Sequence, residues 1–282
     1  MYGIIGYGVL GKATAKCLFR NRESYWCHDT NPKKKAPNEI ELWDDRVDVV
    51  RTTAAVFVCV NTPEHEGRAG YDLTYVHSAL DYLVGLEYKG VVIVSSTIGI
   101  GDYSTLVNHH KGAKYTLVVS PEFIRAKTAD SDMYYPADIL YGPPIKSVPV
   151  RIAVVTALSD RTDRCAVPLA LDPDQCALVK TGRNLALAMK LTSATVTYLE
   201  GQNSGMTPAK INQALDMAFR DIRLGQNYHS VGKKPYKLGF GGTCLPKDVA
   251  AKRSSPLLPP QYVALINALC RANTFIRSAT KD

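Results

Sequence analysis

Long apolar runs are missing from this 282-residue chain. No stretch approaches the roughly 20 residues that cross a bilayer as a helix, so no membrane partner is expected. A secretory leader is not expected either, because residues 1–11 read as a strand and turn rather than a basic head with an apolar core. Paired cysteines are lacking as well. The seven cysteines are odd in number and contain no Cys-x-x-Cys, which argues against a disulfide framework or a zinc knot. No metal is expected, and a reducing cytoplasm is the simplest setting. Internal repeats and low-complexity tracts are absent, which excludes repeat architectures. The net charge is +8, yet no basic stretch alternates with aromatic residues as a base-stacking surface requires. Nucleic acid is therefore not an expected partner. The cationic excess suits an anionic small ligand, or is simply a solvated basic face. What is present is ordinary for a globular protein, 46% hydrophobic and 21% charged, with core enough for one large or two modest domains.

The N-terminus carries the first positive signal. An apolar strand at residues 2–5 runs directly into Gly6-Tyr7-Gly8-Val9-Leu10-Gly11, and residues 12–20 continue with helical spacing at Ala13, Cys17 and Leu18. Strand, G-x-G-x-x-G and helix in this order form a dinucleotide-binding turn. Gly6 permits the tight turn, Gly8 admits a pyrophosphate and Gly11 allows close helix–strand packing. The helix N-terminus offers unpaired N–H groups to phosphate. Residues 25–29 supply a second strand ending in Asp29, roughly 20 residues on, where an acid grips the ribose hydroxyls. A carboxylate there repels a 2′-phosphate, so NAD is favoured over NADP. A strand-end turn is the plainer reading of Asp29 taken alone.

Further strands are expected at 47–50, 54–60, 91–95, 115–119 and 151–156, with a helix at 73–86. Such alternation predicts an α/β fold, a Rossmann-like doubly wound parallel sheet with ligands at the carboxyl ends of its strands. Three strand-end segments stand there, at 60–63, 70–73 and 95–98, and by composition each is an ordinary loop exit. A long helix is expected from 178 to about 200. Lys180 and Asn184 share one of its faces by their four-residue spacing, although a solvent-facing Lys–Asn pair is the default for any helix. Gly182 within it costs roughly 1 kcal/mol relative to alanine and implies close packing or a kink. A last helix is expected at 261–277.

Residues 239–248, Gly-Phe-Gly-Gly-Thr-Cys-Leu-Pro-Lys-Asp, place one thiol, Cys244, after three glycines and before Lys247 and Asp248. A cysteine beside cations ionises more readily, and the thiolate is the nucleophile. This decapeptide closely resembles the active-site loop of the UDP-glucose/GDP-mannose 6-dehydrogenase family. The resemblance extends in family order to Val60-Asn61-Thr62-Pro63, Ser95-Ser96-Thr97-Ile98, Ser120-Pro121-Glu122-Phe123-Ile124-Arg125, Lys180 and Asn184, and Arg223 with Tyr228. It implies that Cys244, Lys180, Asn184, Asp248 and Thr97 are catalytic. Cofactor contacts fall on residues 6–11, Asp29, Lys34, Thr62 and Thr97. Substrate contacts fall on Glu122, Phe123, Ile124, Arg125, Lys180, Asn184, Arg223, Tyr228 and Gly241.

The resemblance further implies a two-step, NAD-dependent oxidation of a nucleotide sugar through a Cys244 thioester. It also implies a homodimer paired through a helical core. The expected division is an NAD-binding domain at 1–172 and a helical dimerisation domain at 173–282, in a shortened form without the family's third, UDP-binding domain. One departure matters: the family's second loop glutamate, held to help activate water, falls on Ala126. A dehydrogenase of a smaller sugar or hydroxy acid, and a non-catalytic NAD-binding protein on the same scaffold, remain open.

Overall fold

The computed structural model describes residues 1–31, 47–65, 68–225 and 238–279. Its contacts divide the chain into two units, residues 1–63 with 72–180, and residues 64–71 with 181–282. A short segment that follows an early strand thus belongs with the C-terminal part of the sequence.

The first unit is a parallel five-stranded sheet flanked by helices. Its elements begin with β1 (Tyr2–Ile5), α1 (Val9–Arg20), β2 (Tyr25–His28), α2 (Val47–Arg51) and β3 (Ala55–Val58). α3 (Thr74–Gly85), β4 (Val91–Val94), α4 (Asp102–His109) and β5 (Thr116–Val119) follow. The strand order is β2-β1-β3-β4-β5, parallel throughout. Such sheets are covered on both faces and their strands read as unbroken apolar runs. Every residue of β1, β3 and β4 is accordingly buried. α3 buries Val76, Ala79, Leu80 and Leu83, the i, i+3, i+4, i+7 stripe of a helix lying on a sheet.

The first unit closes with α5 (Ala129–Tyr134), β6 (Leu140–Tyr141), α6 (Val148–Asp160) and β7 (Leu169–Ala170). β6 and β7 pair as a small parallel ladder. Two expected strands are helices instead. Residues 47–50 lie in α2 and residues 151–156 lie in α6. The run Arg-Ile-Ala-Val-Val-Thr suits a strand in isolation. However, Pro149 near the start of α6 pre-sets a first helical turn, and Val154, Ala157 and Leu158 make a buried helical stripe in the sheet's core. Packing overrides local propensity here.

α7 (Pro173–Asn203) begins in the first unit and continues into the second. It runs unbroken through Gly182, where a Cβ would meet nothing within 4 Å; close packing is not the reason for that glycine. The second unit adds α8 (Pro208–Ala218), α9 (Cys244–Ala250) and α10 (Pro260–Ala279). One cluster packs Ala194, Tyr198, Ile211 and Leu215, and another packs Ala188, Phe240, Val249 and Ile266. No described helix is long and apolar enough to cross a membrane.

Candidate active site

The three glycines of the first turn are required for different reasons. Gly6 has φ +93°, and a Cβ on it would lie 2.7 Å from the Cys59 carbonyl oxygen. A Cβ on Gly11 would lie 2.0 Å from the Gly6 carbonyl oxygen, so α1 approaches β1 only because that atom is missing. At Gly8 a Cβ would meet no protein atom within 4 Å. Gly8 instead borders a cleft of about 260 Å3 that is also lined by Gly6, Asp29, Asn31, Val60 and Tyr82. α1 carries no acidic residue in its first turn, which leaves its N-terminal partial charge available to an anion. The Asp29 carboxylate accepts from the Tyr7 N–H at 2.7 Å and the Asn31 N–H at 2.8 Å. These bonds fix the carboxylate at the rim of the cleft. His28 and Tyr82 stack beside it, ring centroids 4.9 Å apart. Tyr7 is buried, Leu10 packs on the core and Val9 is exposed. A glycine turn open toward an acid-lined cleft fits a dinucleotide. Lys34 lies outside the described residues.

Loops beyond β3 and β4 are tied together, since the Ser96 hydroxyl donates to the Val60 carbonyl at 2.8 Å. Thr62 is buried and Thr97 is partly exposed. Beneath them lies a group that sequence reasoning missed. Arg161, 2% exposed, pairs with the Glu122 carboxylate and donates to the hydroxyls of Ser95 (3.3 Å) and Ser120 (3.1 Å). Glu122 therefore holds a buried guanidinium that would otherwise be an uncompensated charge. The Glu122 backbone carbonyl accepts from Lys180 Nζ at 2.5 Å, and that ammonium lies 5.5 Å from the centre of the Phe123 ring. Phe123 and Ile124 are half-buried. Arg125 forks onto Asp132 at 2.9 and 2.6 Å. Its hydrogen bonds hold the Asp132 carboxyl below the usual carboxylate range. Arg125 thus closes its own loop in this structure. Ala126 is exposed at the loop's tip.

In the second unit Cys244 is the first residue of α9 and is exposed. Five of the seven cysteines are buried, and burial pushes Cys59, on the cofactor cleft, up to about 12. The other exposed thiol, Cys165, is raised by the neighbouring Asp163 charge. One turn on from Cys244, Asp248 is 1% exposed. It accepts from Asn184 Nδ2 at 2.5 Å and the Tyr71 hydroxyl at 3.1 Å, and Lys247 Nζ lies 2.8 Å away. Tyr71, from the segment Glu64–Tyr71, was not among the expected site residues; the sequence offered it only as part of the strand-end segment 70–73. A Cβ on Gly241 would meet the Arg277 guanidinium at 2.8 Å. Arg223 is exposed and chelates its neighbour Asp221. Tyr228 lies outside the described residues.

Residues 33–149 match the profile of the UDP-glucose/GDP-mannose dehydrogenase family, NAD binding domain. UDP-glucose 6-dehydrogenase of Rickettsia bellii (strain RML369-C) is 27% identical over 231 residues, 79% of this chain and 50% of the relative. Over residues 33–149 the chain is similar to the UDP-glucose/GDP-mannose dehydrogenase family. The matched domain is the one that binds NAD in that family. Solved structures share the fold. A UDP-glucose dehydrogenase from the archaeon Pyrobaculum islandicum superimposes with TM-score 0.77 at 22% identity, covering 97% of this chain and 68% of that one. A 3-hydroxyisobutyrate dehydrogenase from Mycobacterium tuberculosis gives 0.67 at 14% identity, covering 96% and 94%. The chain spans about half the length of the curated relative from Rickettsia bellii.

Proposed function

We propose that this protein oxidises the C6 primary alcohol of a nucleotide sugar, of the UDP-glucose kind, to the carboxylate through a covalent intermediate on Cys244. The observation that carries this reading is the pairing of an exposed thiol with a buried, fully engaged carboxylate one turn away, Asp248, held by Asn184 and Tyr71. A binding module has no need of such a support; a nucleophile does.

NAD, when bound, accepts one hydride in each of two oxidations. The alcohol first loses a hydride and a proton to become an aldehyde. Cys244 Sγ then adds to C6, and the oxygen takes a proton to give a thiohemiacetal. Loss of a second hydride and the hydroxyl proton leaves a thioester. Water adds, the C–S bond breaks, and the thiol and a carboxylate are released. Lys180 and Asn184 are assigned the developing oxyanion. Asp248 positions Asn184, and Thr97 positions water or lysine.

Water activation is the weak step. Ala126 cannot accept a proton, and the Glu122 carboxylate is engaged by Arg161. The non-catalytic reading draws on these same two residues. NADH formation over a panel of UDP- and GDP-sugars tests the assignment, with UDP-glucose expected to respond. NAD binding without reduction by any sugar would favour the non-catalytic scaffold. A homodimer through α7 is part of the proposal. Met189 and Val196, 45% and 52% exposed, lie on one face of that helix. Seven unpaired cysteines suit a reducing cytoplasm.

A further inference from the structure

We propose that His77, His109 and His110 form a zinc-binding site where α3 meets the C-terminal end of α4, with Asp81 as its outer carboxylate. The three imidazoles are the one group of three His, Cys, Asp or Glu side chains among the described residues that gathers ligand atoms this closely. One atom from each lies within 4.8 Å of the others. This site was not expected from sequence, because a single histidine in one helix gives no ligand spacing with a His-His pair more than thirty positions on.

The spacing suits one ion. Zinc–nitrogen bonds are about 2.0–2.1 Å in tetrahedral geometry, which puts neighbouring ligand nitrogens roughly 3.3 Å apart. His77 Nδ1 and His110 Nε2 are 3.2 Å apart. The His110 ring is 3% exposed, and its Nδ1 lies 3.4 Å from the Asp81 carboxylate. That is the carboxylate–histidine arrangement that fixes a ligand's tautomer: a proton on Nδ1 leaves the Nε2 lone pair facing inward. His77 joins as ligand by moving its proton from Nδ1 to Nε2, with no net proton lost. The His109 ring is tilted against His77 at 4.4 Å and meets His110 edge-on at 4.9 Å between centroids; it is exposed and gives an entry path. Three neutral imidazoles select zinc over the hard cations calcium and magnesium. A water would complete the four-coordinate shell. The consequence is mechanical. α3 also lines the cofactor cleft through Tyr75, Ser78 and Tyr82, and an ion at His77 would clamp that wall to α4.

The test is calorimetric titration of zinc sulfate into the untagged, chelator-stripped full chain. The expected result is one ion per chain. Binding should weaken by about 10-fold or more in His109→Ala and His77→Ala, and persist in a Cys165→Ser/Cys244→Ser variant. His109→Ala changes an exposed side chain, so its zinc-free melting temperature should match the parent and loss of binding cannot be laid to unfolding. Saturating zinc should raise the parent's melting temperature by about 5 °C, and the same zinc concentration should raise that of His109→Ala by less. No saturable binding would overturn the proposal. So would binding that survives in His109→Ala and His77→Ala but vanishes with the thiols, which would place the ion on cysteine.

Discussion

The cofactor turn and the Cys244 segment are both glycine-rich, but they are held in different ways. Around Gly6–Gly11 the backbone itself is the device: a positive φ, a missing Cβ where α1 crosses β1, and a helix start with no side-chain cap. Around Cys244 the glycines lead into a short helix whose key carboxylate is fixed by side chains from elsewhere, Tyr71 and Asn184. A backbone device tolerates side-chain change away from its contact points. A side-chain network fails as a unit, because each buried partner left alone pays its desolvation.

The largest effect should follow from breaking the network. Asp248→Ala leaves Asn184, the Tyr71 hydroxyl and Lys247 without their shared acceptor, and should cost about 3–5 kcal/mol in chemical unfolding. Asp248→Asn, which keeps one carbonyl acceptor, should cost less. In the cofactor turn, Gly11→Val forces a Cβ onto the Gly6 carbonyl, and overpacking should cost about 1–3 kcal/mol together with NAD binding. Gly8→Val sharpens the contrast, since a Cβ there meets no protein atom within 4 Å. Its melting temperature should stay with the parent while calorimetry finds NAD affinity lost. Asp29→Asn should act most mildly, lowering NAD affinity about tenfold, or 1.4 kcal/mol, and narrowing the preference over NADP. Equal loss of stability in Gly8→Val and Gly11→Val would contradict the distinction between a packing glycine and a ligand-facing one.

The same distinction explains what could be read from the sequence. β1, β3 and β4 were legible because strands buried on both faces are unbroken apolar runs, and the order strand–glycines–helix located the cofactor turn. The run 151–156 was misread because its β-branched residues favour a strand until Val154, Ala157 and Leu158 are seen packed as a helical stripe on the sheet. Arg161 was invisible. In sequence it sits in a polar turn, and only the fold brings Glu122, Ser95 and Ser120 around it. Tyr71 and the His77–His109–His110 group were missed for the same reason, being assembled by tertiary structure across long separations. Cys244 was found by its neighbours, but its place at the first position of α9 rather than within a loop was not.

The central claim is a covalent intermediate whose breakdown is slowed by Ala126 and by the capture of Glu122. Mass spectrometry of a reaction with NAD and UDP-glucose, quenched after a burst of NADH, tests it most directly. The account predicts an acyl adduct on Cys244 that is absent in Cys244→Ala. Ala126→Glu should clear the adduct and speed steady turnover by about 10²-fold or more, the usual effect of a general base. Steady NADH production by Cys244→Ala, or sustained turnover of the parent with no adduct at any time, would contradict it.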